Sequence, residues 1–154
     1  MQRTVVIFKP DAIQRGLIGE VVARLEKKGL KLVGAKMIQA SDKLLEQHYA
    51  HHRGKPFFAG LIKFMMSTPL VCMLWEGVDA VAVVRKMTGA TNGRNADLGT
   101  IRGDLSSSQS NNLIHVSDSD QAAEAEEKRF FEKGEVFDWE RLLDSAIYGE
   151  DEIK

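Results

Sequence analysis

The sequence is poor in the residues that characterise disulfide-bonded, fibrous and disordered proteins. Its 154 residues include one cysteine, Cys72, and three prolines, and they contain no internal repeat. One cysteine excludes an internal disulfide and is typical of a protein from a reducing compartment. The chain is 44% hydrophobic and 28% charged, which is ordinary for a globular protein and excludes collagen, coiled coil and disorder. A chain of this length predicts a single domain over residues 1–154.

Long apolar runs and an excess of positive charge are also missing. A membrane-spanning helix needs about 20 apolar residues and a signal peptide about 7–15, whereas the first apolar run covers only residues 5–8. We therefore expect a cytoplasmic protein with no membrane contact. The net charge is −1 and the pI about 6.4. Because a protein that binds nucleic acid through its phosphates carries excess positive charge, a nucleic-acid partner is disfavoured.

The spacing of apolar residues predicts strands that alternate with helices. The strands cover residues 5–8, 32–38, 70–75 and 112–116, and the helices cover about 18–25, 41–49, 57–65, 79–87 and 119–131. With the two helices between the second and third strands set aside, the order is β-α-β-β-α-β. This order predicts an α+β, ferredoxin-like fold in which helices pack on one face of an antiparallel four-stranded sheet.

Two segments fall outside this pattern. Residues 91–111 are rich in Gly, Asn, Ser and Asp and have no sustained period, which predicts a long loop of the kind that is usually functional. Residues from about 132 to 154 form an acidic extension that contains large apolar side chains such as Phe137 and Trp139. We expect this C-terminal tail to pack on the domain or on a neighbouring subunit.

Several common catalytic motifs are missing. There is no G-x-x-x-x-G-K-[ST] phosphate loop, no G-x-G-x-x-G after a strand, no protein-kinase H-R-D or D-F-G, no G-x-S-x-G and no C-x-x-C. His48, His51 and His52 have the i, i+3, i+4 spacing that could hold a metal ion. Because nothing distinctive nearby supplies a further ligand, solvated surface histidines are the favoured interpretation.

His115 is the histidine with the clearest chemical potential. It ends an apolar strand, and the period of two places it on the face that Leu113 occupies. Glu126 follows eleven residues later on the next predicted helix. A carboxylate can fix the tautomer of an imidazole, and a neutral imidazole held in this way is a competent nucleophile toward phosphorus. A core histidine satisfied by hydrogen bonds is the structural alternative.

Cationic residues that follow or flank the predicted elements could bind phosphate. Lys9 follows the first strand, Arg85 lies near the end of a helix, and Arg102 lies in the long loop. Together with Thr91 they could surround a polyphosphate and stabilise charge that develops in phosphoryl transfer. The alternative is that each is an ordinary surface residue.

From about residue 3 to residue 148 the chain resembles the nucleoside diphosphate kinase family. The resemblance is carried by residues 6–11, 14–17, 48–49, 56–61, 89–92, 99–104 and 112–115. The most specific part is Gly-Thr-Ile-Arg-Gly-Asp at 99–104, followed by Asn-x-x-His-x-Ser-Asp at 112–118.

The resemblance implies transfer of the γ-phosphate of a nucleoside triphosphate to a nucleoside diphosphate, by a ping-pong route through a phosphohistidine. It implies that Mg²⁺ sits on the nucleotide phosphates without protein ligands, and that the protein is a homo-oligomer, a hexamer in preference to a tetramer. The implied catalytic residues are His115 as nucleophile with Glu126, Lys9, Tyr49 and Ser117. The implied nucleotide-binding residues are Lys9, Phe57, Arg85, Thr91, Arg102 and Asn112.

Three departures from the family pattern leave alternatives open. Val116 replaces the glycine that usually follows the nucleophile, Ala12 replaces a glycine, and a serine-rich stretch occupies 106–110. A positive φ would strain Val116, its side chain could crowd His115, and the serines could loosen the preceding loop. A scaffold that binds nucleotide without turnover is therefore a second hypothesis. An RNA-binding sheet is a third, which the net charge disfavours.

Overall fold

The computed structural model describes residues 1–153, which form a four-stranded antiparallel sheet with helices on both faces. The strands are β1 (Gln2–Phe8), β2 (Lys31–Ile38), β3 (Leu70–Gly77) and β4 (Ile114–Val116). Their order across the sheet is β2-β3-β1-β4. The ferredoxin-like α+β prediction is confirmed.

The helices and strands alternate in the predicted order, with short additional helices. Helices α1 (Pro10–Gln14) and α2 (Ile18–Lys27) connect β1 to β2, α3 (Asp42–His48) and α4 (Phe58–Met65) connect β2 to β3, and α5 (Ala80–Thr88) and α6 (Ile101–Leu105) connect β3 to β4. Helices α7 (Asp120–Phe130) and α8 (Asp144–Ile147) follow β4. The sequence did not predict α1 or α6, because a helix of five residues is too short to show a helical period.

Successive side chains of the apolar strand β1 point to opposite faces of the sheet, and they divide the core between these two faces. Val6 and Phe8 pack in the cluster that α2 and α5 complete, whereas Val5 and Ile7 pack in the cluster of α3 and α4. The two crossover helices of the ferredoxin-like pattern, α2 and α5, each connect two strands that are separated by one other strand, and they share one face of the sheet. One-face packing is thus confirmed for the helices of that pattern, and the inserted helices α3 and α4, which the pattern leaves out, cover the other face.

Serine side chains cap the first turn of two helices. Ser41 accepts the Leu44 N–H at the start of α3, and Ser119 accepts the Ala122 N–H at the start of α7, as N-cap residues do. The sequence also places Asp79, a residue type that favours N-caps, at the start of the helix predicted over 79–87. In the structure Asp79 precedes α5 in a left-handed conformation, φ 48°, and makes no side-chain cap bond, so a capping role for Asp79 is wrong.

The C-terminal tail packs along the edge strand β2 and the turn before it. The Phe137 N–H donates to the Val33 carbonyl, and Trp139 Nε1 donates to the Leu32 carbonyl at 3.0 Å. Arg141 donates to the carbonyls of Gly29 and Leu30. The tail therefore covers the outer edge of the sheet, while β4 forms the opposite edge. Within residues 1–153, no helix is both long enough and apolar enough to span a bilayer.

Candidate active site

His115 lies in the middle of the short strand β4, opposite Ile7 of β1. Its side chain is on the α3 and α4 face, because Ile7 belongs to that half of the core. Leu113 packs in the other half, so the prediction that His115 shares its face was wrong. The reason is a φ of 73° at Leu113, which breaks the strand period just before β4. The Asp11 carboxylate accepts the Leu113 N–H at 3.0 Å and helps to hold this conformation.

A series of hydrogen bonds through Glu126 and Ser117 connects His115 to the adjacent strand β1. His115 Nε2 lies 2.8 Å from Glu126 Oε1, and Ser117 Oγ donates to Glu126 Oε2 at 2.7 Å. Ser117 Oγ in turn accepts the Val5 N–H at 3.1 Å. Because a carboxylate only accepts, the neutral His115 ring carries its proton on Nε2. The lone pair of Nδ1 then remains available.

His48 packs directly against this pair. Its ring centroid is 4.4 Å from that of His115 at an interplanar angle of 81°, and its side chain is only 1% exposed. Burial, with the positive charges of nearby side chains including Arg129, lowers the pKa of His48 to about 2, so the ring is neutral. The prediction of a solvated surface residue was wrong for His48, although His51 is exposed. The resemblance of residues 48–49 to the family was the signal in the sequence that could have placed His48 in the site.

Tyr49 forms the neighbouring part of the same wall. Its ring centroid is 6.3 Å from that of His115, and the side chain is buried. Among residues 1–153 its hydroxyl has no hydrogen-bond partner. Burial and the negative charge of Glu126 raise the pKa of Tyr49, so the phenol stays protonated and is a free donor toward the site.

Lys9 and Asn112 form a buried polar pair beside the strand end. Lys9 Nζ donates to Asn112 Oδ1 at 2.6 Å. Asn112 Nδ2 donates to the carbonyls of Thr91 and Gln109, each at 2.8 Å. Burial and the charge of Arg102 lower the pKa of Lys9 to about 8. The Asn112 side chain thus connects the long loop to the cation that follows β1.

Arg102 is held by backbone carbonyls rather than by carboxylates. Its guanidinium donates to Ile114 O at 2.7 Å, Asn112 O at 3.1 Å and Gly89 O at 3.3 Å. Burial, together with the positive charge of the nearby Arg85, lowers the pKa of Arg102 to about 10. No acidic side chain within the described chain forms an ion pair with Arg102, so its positive charge is available to an anion.

The remaining predicted binding residues lie at the surface. Arg85 and Thr91 have exposed side chains, and Thr91 is tied to the cluster through its carbonyl. Phe57 is 52% exposed, whereas its neighbour Phe58 packs against the core. The His52 ring lies 5.2 Å from that of Phe57 and 6.2 Å from that of Tyr49. A row of rings therefore leads outward from His115 to Phe57.

The departures at Val116 and in the serine-rich stretch do not disturb this arrangement. Val116 pairs with Val6 and packs in the α2 and α5 half of the core, on the opposite side of β4 from His115. Its φ is not among the positive values of the described residues, so the structure shows neither of the two alternatives left open for Val116, backbone strain and crowding of His115. Ser106 Oγ donates to Asn111 O at 2.9 Å, and Ser108 Oγ accepts two backbone N–H groups; the serines order their segment.

The side chains that could hold a metal ion are few. Within residues 1–153, the one group of three suitable ligands is His48, His115 and Glu126. Two of these three are imidazoles, which suit zinc-like ions, whereas Mg²⁺ prefers oxygen.

Comparison with known proteins gives a uniform result. A family model described as nucleoside diphosphate kinase matches residues 2–136. A nucleoside diphosphate kinase of Parabacteroides distasonis is 52% identical over 153 residues, covering 99% of this chain and 100% of its own. One from Pyrococcus abyssi is 53% identical over 146 residues, covering 93% and 92%. The structure of a halophilic nucleoside diphosphate kinase from Halobacterium salinarum in complex with CDP has a TM-score of 0.94 at 48% identity, covering 96% of this chain and 98% of that chain.

Proposed function

The chain belongs to the nucleoside diphosphate kinase family, and we propose that it transfers the γ-phosphate by a ping-pong route through a phosphohistidine at His115. The observation that carries this proposal is the hydrogen-bonded series His115–Glu126–Ser117. With the ring proton held on Nε2, the Nδ1 lone pair attacks the γ-phosphorus while the bond to the β-phosphate oxygen breaks. A nucleoside diphosphate then takes the phosphoryl group from Nδ1 in the second half of the reaction.

Glu126 and Ser117 act as positioning residues in this proposal. As Nδ1 gains a phosphoryl group, positive charge develops on the ring, and the Glu126 carboxylate stabilises it through Nε2–H. Ser117 fixes the second carboxylate oxygen, so that the carboxylate cannot rotate away. Because this pair is buried, water does not compete for the hydrogen bonds.

The cations beside β4 bind and neutralise the phosphates. Lys9 and Arg102 are buried, and none of their hydrogen bonds is to a carboxylate. Their positive charges are therefore available to pair with an anionic ligand. Arg85 and Thr91 reach the phosphates from the surface, Tyr49 donates to the transferred group, and Lys9 with Asn112 binds the sugar hydroxyl.

Phe57 is the platform for the base. Its exposed ring stands at the outer end of the row of rings, and every base has a π-face on which such a ring can stack. Because stacking reads no base edge, we expect the four common bases to be accepted. The same argument covers the cytidine nucleotide bound by the halophilic relative.

Magnesium fits this site as a companion of the nucleotide. The donors around Lys9, Arg102 and Asn112 are cationic or amide groups, and the three-ligand cluster within the described chain is rich in nitrogen. Neither set is the oxygen shell that Mg²⁺ requires, so we propose that the ion is held by the phosphates. When bound there, Mg²⁺ neutralises phosphate charge, and the residues of this chain supply the remaining positive charge.

We also propose one domain with the C-terminal tail packed on it, assembled into a homo-oligomer and located in the cytoplasm. The tail leaves Phe137, Leu142 and Leu143 exposed, and such groups favour a contact with another subunit. A hexamer is preferred to a tetramer, and light scattering would distinguish the two masses. A free, buried thiol at Cys72 supports a reducing compartment.

Labelling with a γ-labelled nucleoside triphosphate tests the proposed chemistry. The wild-type protein should yield an acid-labile, alkali-stable phosphoprotein, which a nucleoside diphosphate then discharges. His115→Ala should abolish the label, whereas His51→Ala, a substitution of an exposed histidine nearby, should leave it unchanged. Equal labelling of the His115 variant would disprove the assigned nucleophile, and nucleotide binding without any labelling would favour the scaffold hypothesis.

A further inference from the structure

The pocket wall contains a set of metal ligands that the proposed reaction does not use as such. One ligand atom from each of His48, His115 and Glu126 lies within 4.8 Å of the other two. Tetrahedral zinc has bonds of about 2.0–2.1 Å and therefore holds its donors roughly 3.3 Å apart. Binding therefore requires side-chain rotations that close the widest of the three separations by at most about 1.5 Å. Two imidazoles and one carboxylate are a donor set found in zinc proteins.

His48 is available to an ion although it is buried. Its Nε2 has no hydrogen-bond partner among the described residues. Its Nδ1 lies 3.4 Å from Arg129 Nη1 and 3.9 Å from Glu126 Oε1, and neither distance is that of a good hydrogen bond. A buried nitrogen without a good partner loses nothing by binding a metal. His115, with a side chain 18% exposed, provides the route by which an ion enters and leaves a coordination position open to solvent.

We propose that His48, His115 and Glu126 form an inhibitory site for Zn²⁺ or a similar nitrogen-seeking divalent ion. Inhibition follows from the ring tautomer. A neutral imidazole carries one proton, which in the free site lies on Nε2 and is donated to Glu126. An ion that binds Nε2 of His115 needs a lone pair on that nitrogen, so the ring proton moves to Nδ1. The lone pair of Nδ1, which is the nucleophile in the proposed reaction, is then lost. The ion also withdraws the Glu126 carboxylate from its positioning role.

Nearby positive charge makes the site selective. Arg129 Nη1 lies 3.4 Å from His48 Nδ1. Its positive charge repels any divalent ion, so only an ion that gains strongly from nitrogen ligands binds here. We therefore expect Mg²⁺ and Ca²⁺ not to bind. Arg129→Gln, which removes this opposing charge, should tighten zinc binding.

Metal binding without nucleotide tests the site independently of the proposed reaction. Wild-type protein titrated with Co²⁺ should show the visible absorption of a tetrahedral ion, and Zn²⁺ should displace it. His48→Phe keeps a ring of similar shape but removes the ligand, and it should weaken Zn²⁺ binding by at least about 100-fold, since loss of even a second-shell partner costs about 10–100-fold. The control is His51→Gln with His52→Gln, which removes the adjacent surface pair, whose ring centroids are 4.0 Å apart.

The outcomes separate clearly. Unchanged binding by His48→Phe, with native circular dichroism, would overturn the proposal, and so would loss of binding in the surface control. If His48→Phe does not fold, Arg129→Gln decides, because zinc binding no tighter than in the wild type would contradict the site. The inhibitory part rests on the proposed role of Nδ1. Zinc-loaded wild type should form phosphohistidine more slowly until a zinc-selective chelator is added, whereas failure to label without zinc would instead refute the proposed function.

Discussion

Replacing Glu126 by glutamine tests whether the carboxylate sets the reactivity of His115. The glutamine side chain has the same shape but offers one oxygen and one NH₂ group. At present the two carboxylate oxygens accept from His115 Nε2 at 2.8 Å and Ser117 Oγ at 2.7 Å. Ser117 Oγ also accepts the Val5 N–H, so the hydroxyl proton of Ser117 is directed to Glu126.

Either orientation of the new amide breaks one of these contacts. If its NH₂ faces His115, two donors meet and the ring is driven to the tautomer with its proton on Nδ1. If its oxygen faces His115, the NH₂ meets the Ser117 hydroxyl, which must then turn its proton elsewhere. A hydrogen bond to a charged group contributes about 1.5–3 kcal/mol, and the pair is buried, so solvent screening is small. We expect phosphohistidine formation to slow by about 10- to 150-fold.

A single-turnover labelling experiment measures this step. The rate of phosphohistidine formation in Glu126→Gln is compared with wild type at a saturating nucleoside triphosphate concentration, so that binding does not enter. Glu127→Gln is the matched control, because Glu127 lies one position along α7 and its carboxylate, among residues 1–153, hydrogen-bonds only with Arg3, at 3.4 Å. A rate for Glu126→Gln within about twofold of wild type would show that the carboxylate does not position the nucleophile.

Three further predictions follow from the surroundings of the nucleophile. Burial lowers the pKa of Lys9 to about 8, so the charge that binds phosphate is present below that pH and lost above it. Nucleotide affinity, measured by calorimetry, should therefore fall as the pH rises through 8. In Lys9→Gln the affinity should not change with pH across this range. The same depressed pKa means that the buried charge of Lys9 opposes folding at neutral pH and that this penalty declines as the pH rises above 8. Phe57→Ala should weaken nucleotide binding by about 5- to 150-fold, the equivalent of about 1–3 kcal/mol of stacking, with little loss of stability because the ring is 52% exposed, whereas Phe57→Trp should retain affinity. Val116→Gly should lower the free energy of unfolding by about 2–4 kcal/mol, from lost burial and added backbone freedom, and a gain in turnover would contradict the position of this side chain away from His115.

Local sequence patterns account for the strands and for most of the longer helices. The alternation in β1 and the caps at Ser41 and Ser119 depend on residues a few positions apart, and such short-range preferences act wherever the chain goes. The strand period failed at Leu113, where the backbone N–H donates to the carboxylate of a residue distant in sequence, Asp11, and the backbone adopts a left-handed conformation. The period of a strand depends on residues within that strand, so it does not include a contact with Asp11.

The sequence by itself determined which chemical groups are present and, through its motifs, the family to which the chain belongs. Only the tertiary structure decided that His48 packs on His115 and that Arg102 is held by carbonyls without a carboxylate partner. It also decided that Val116 faces away from the site. These relations join residues far apart along the chain, and they arise from how the sheet, the inserted helices and α7 pack together. The spacing of residues along the sequence carries no record of that packing.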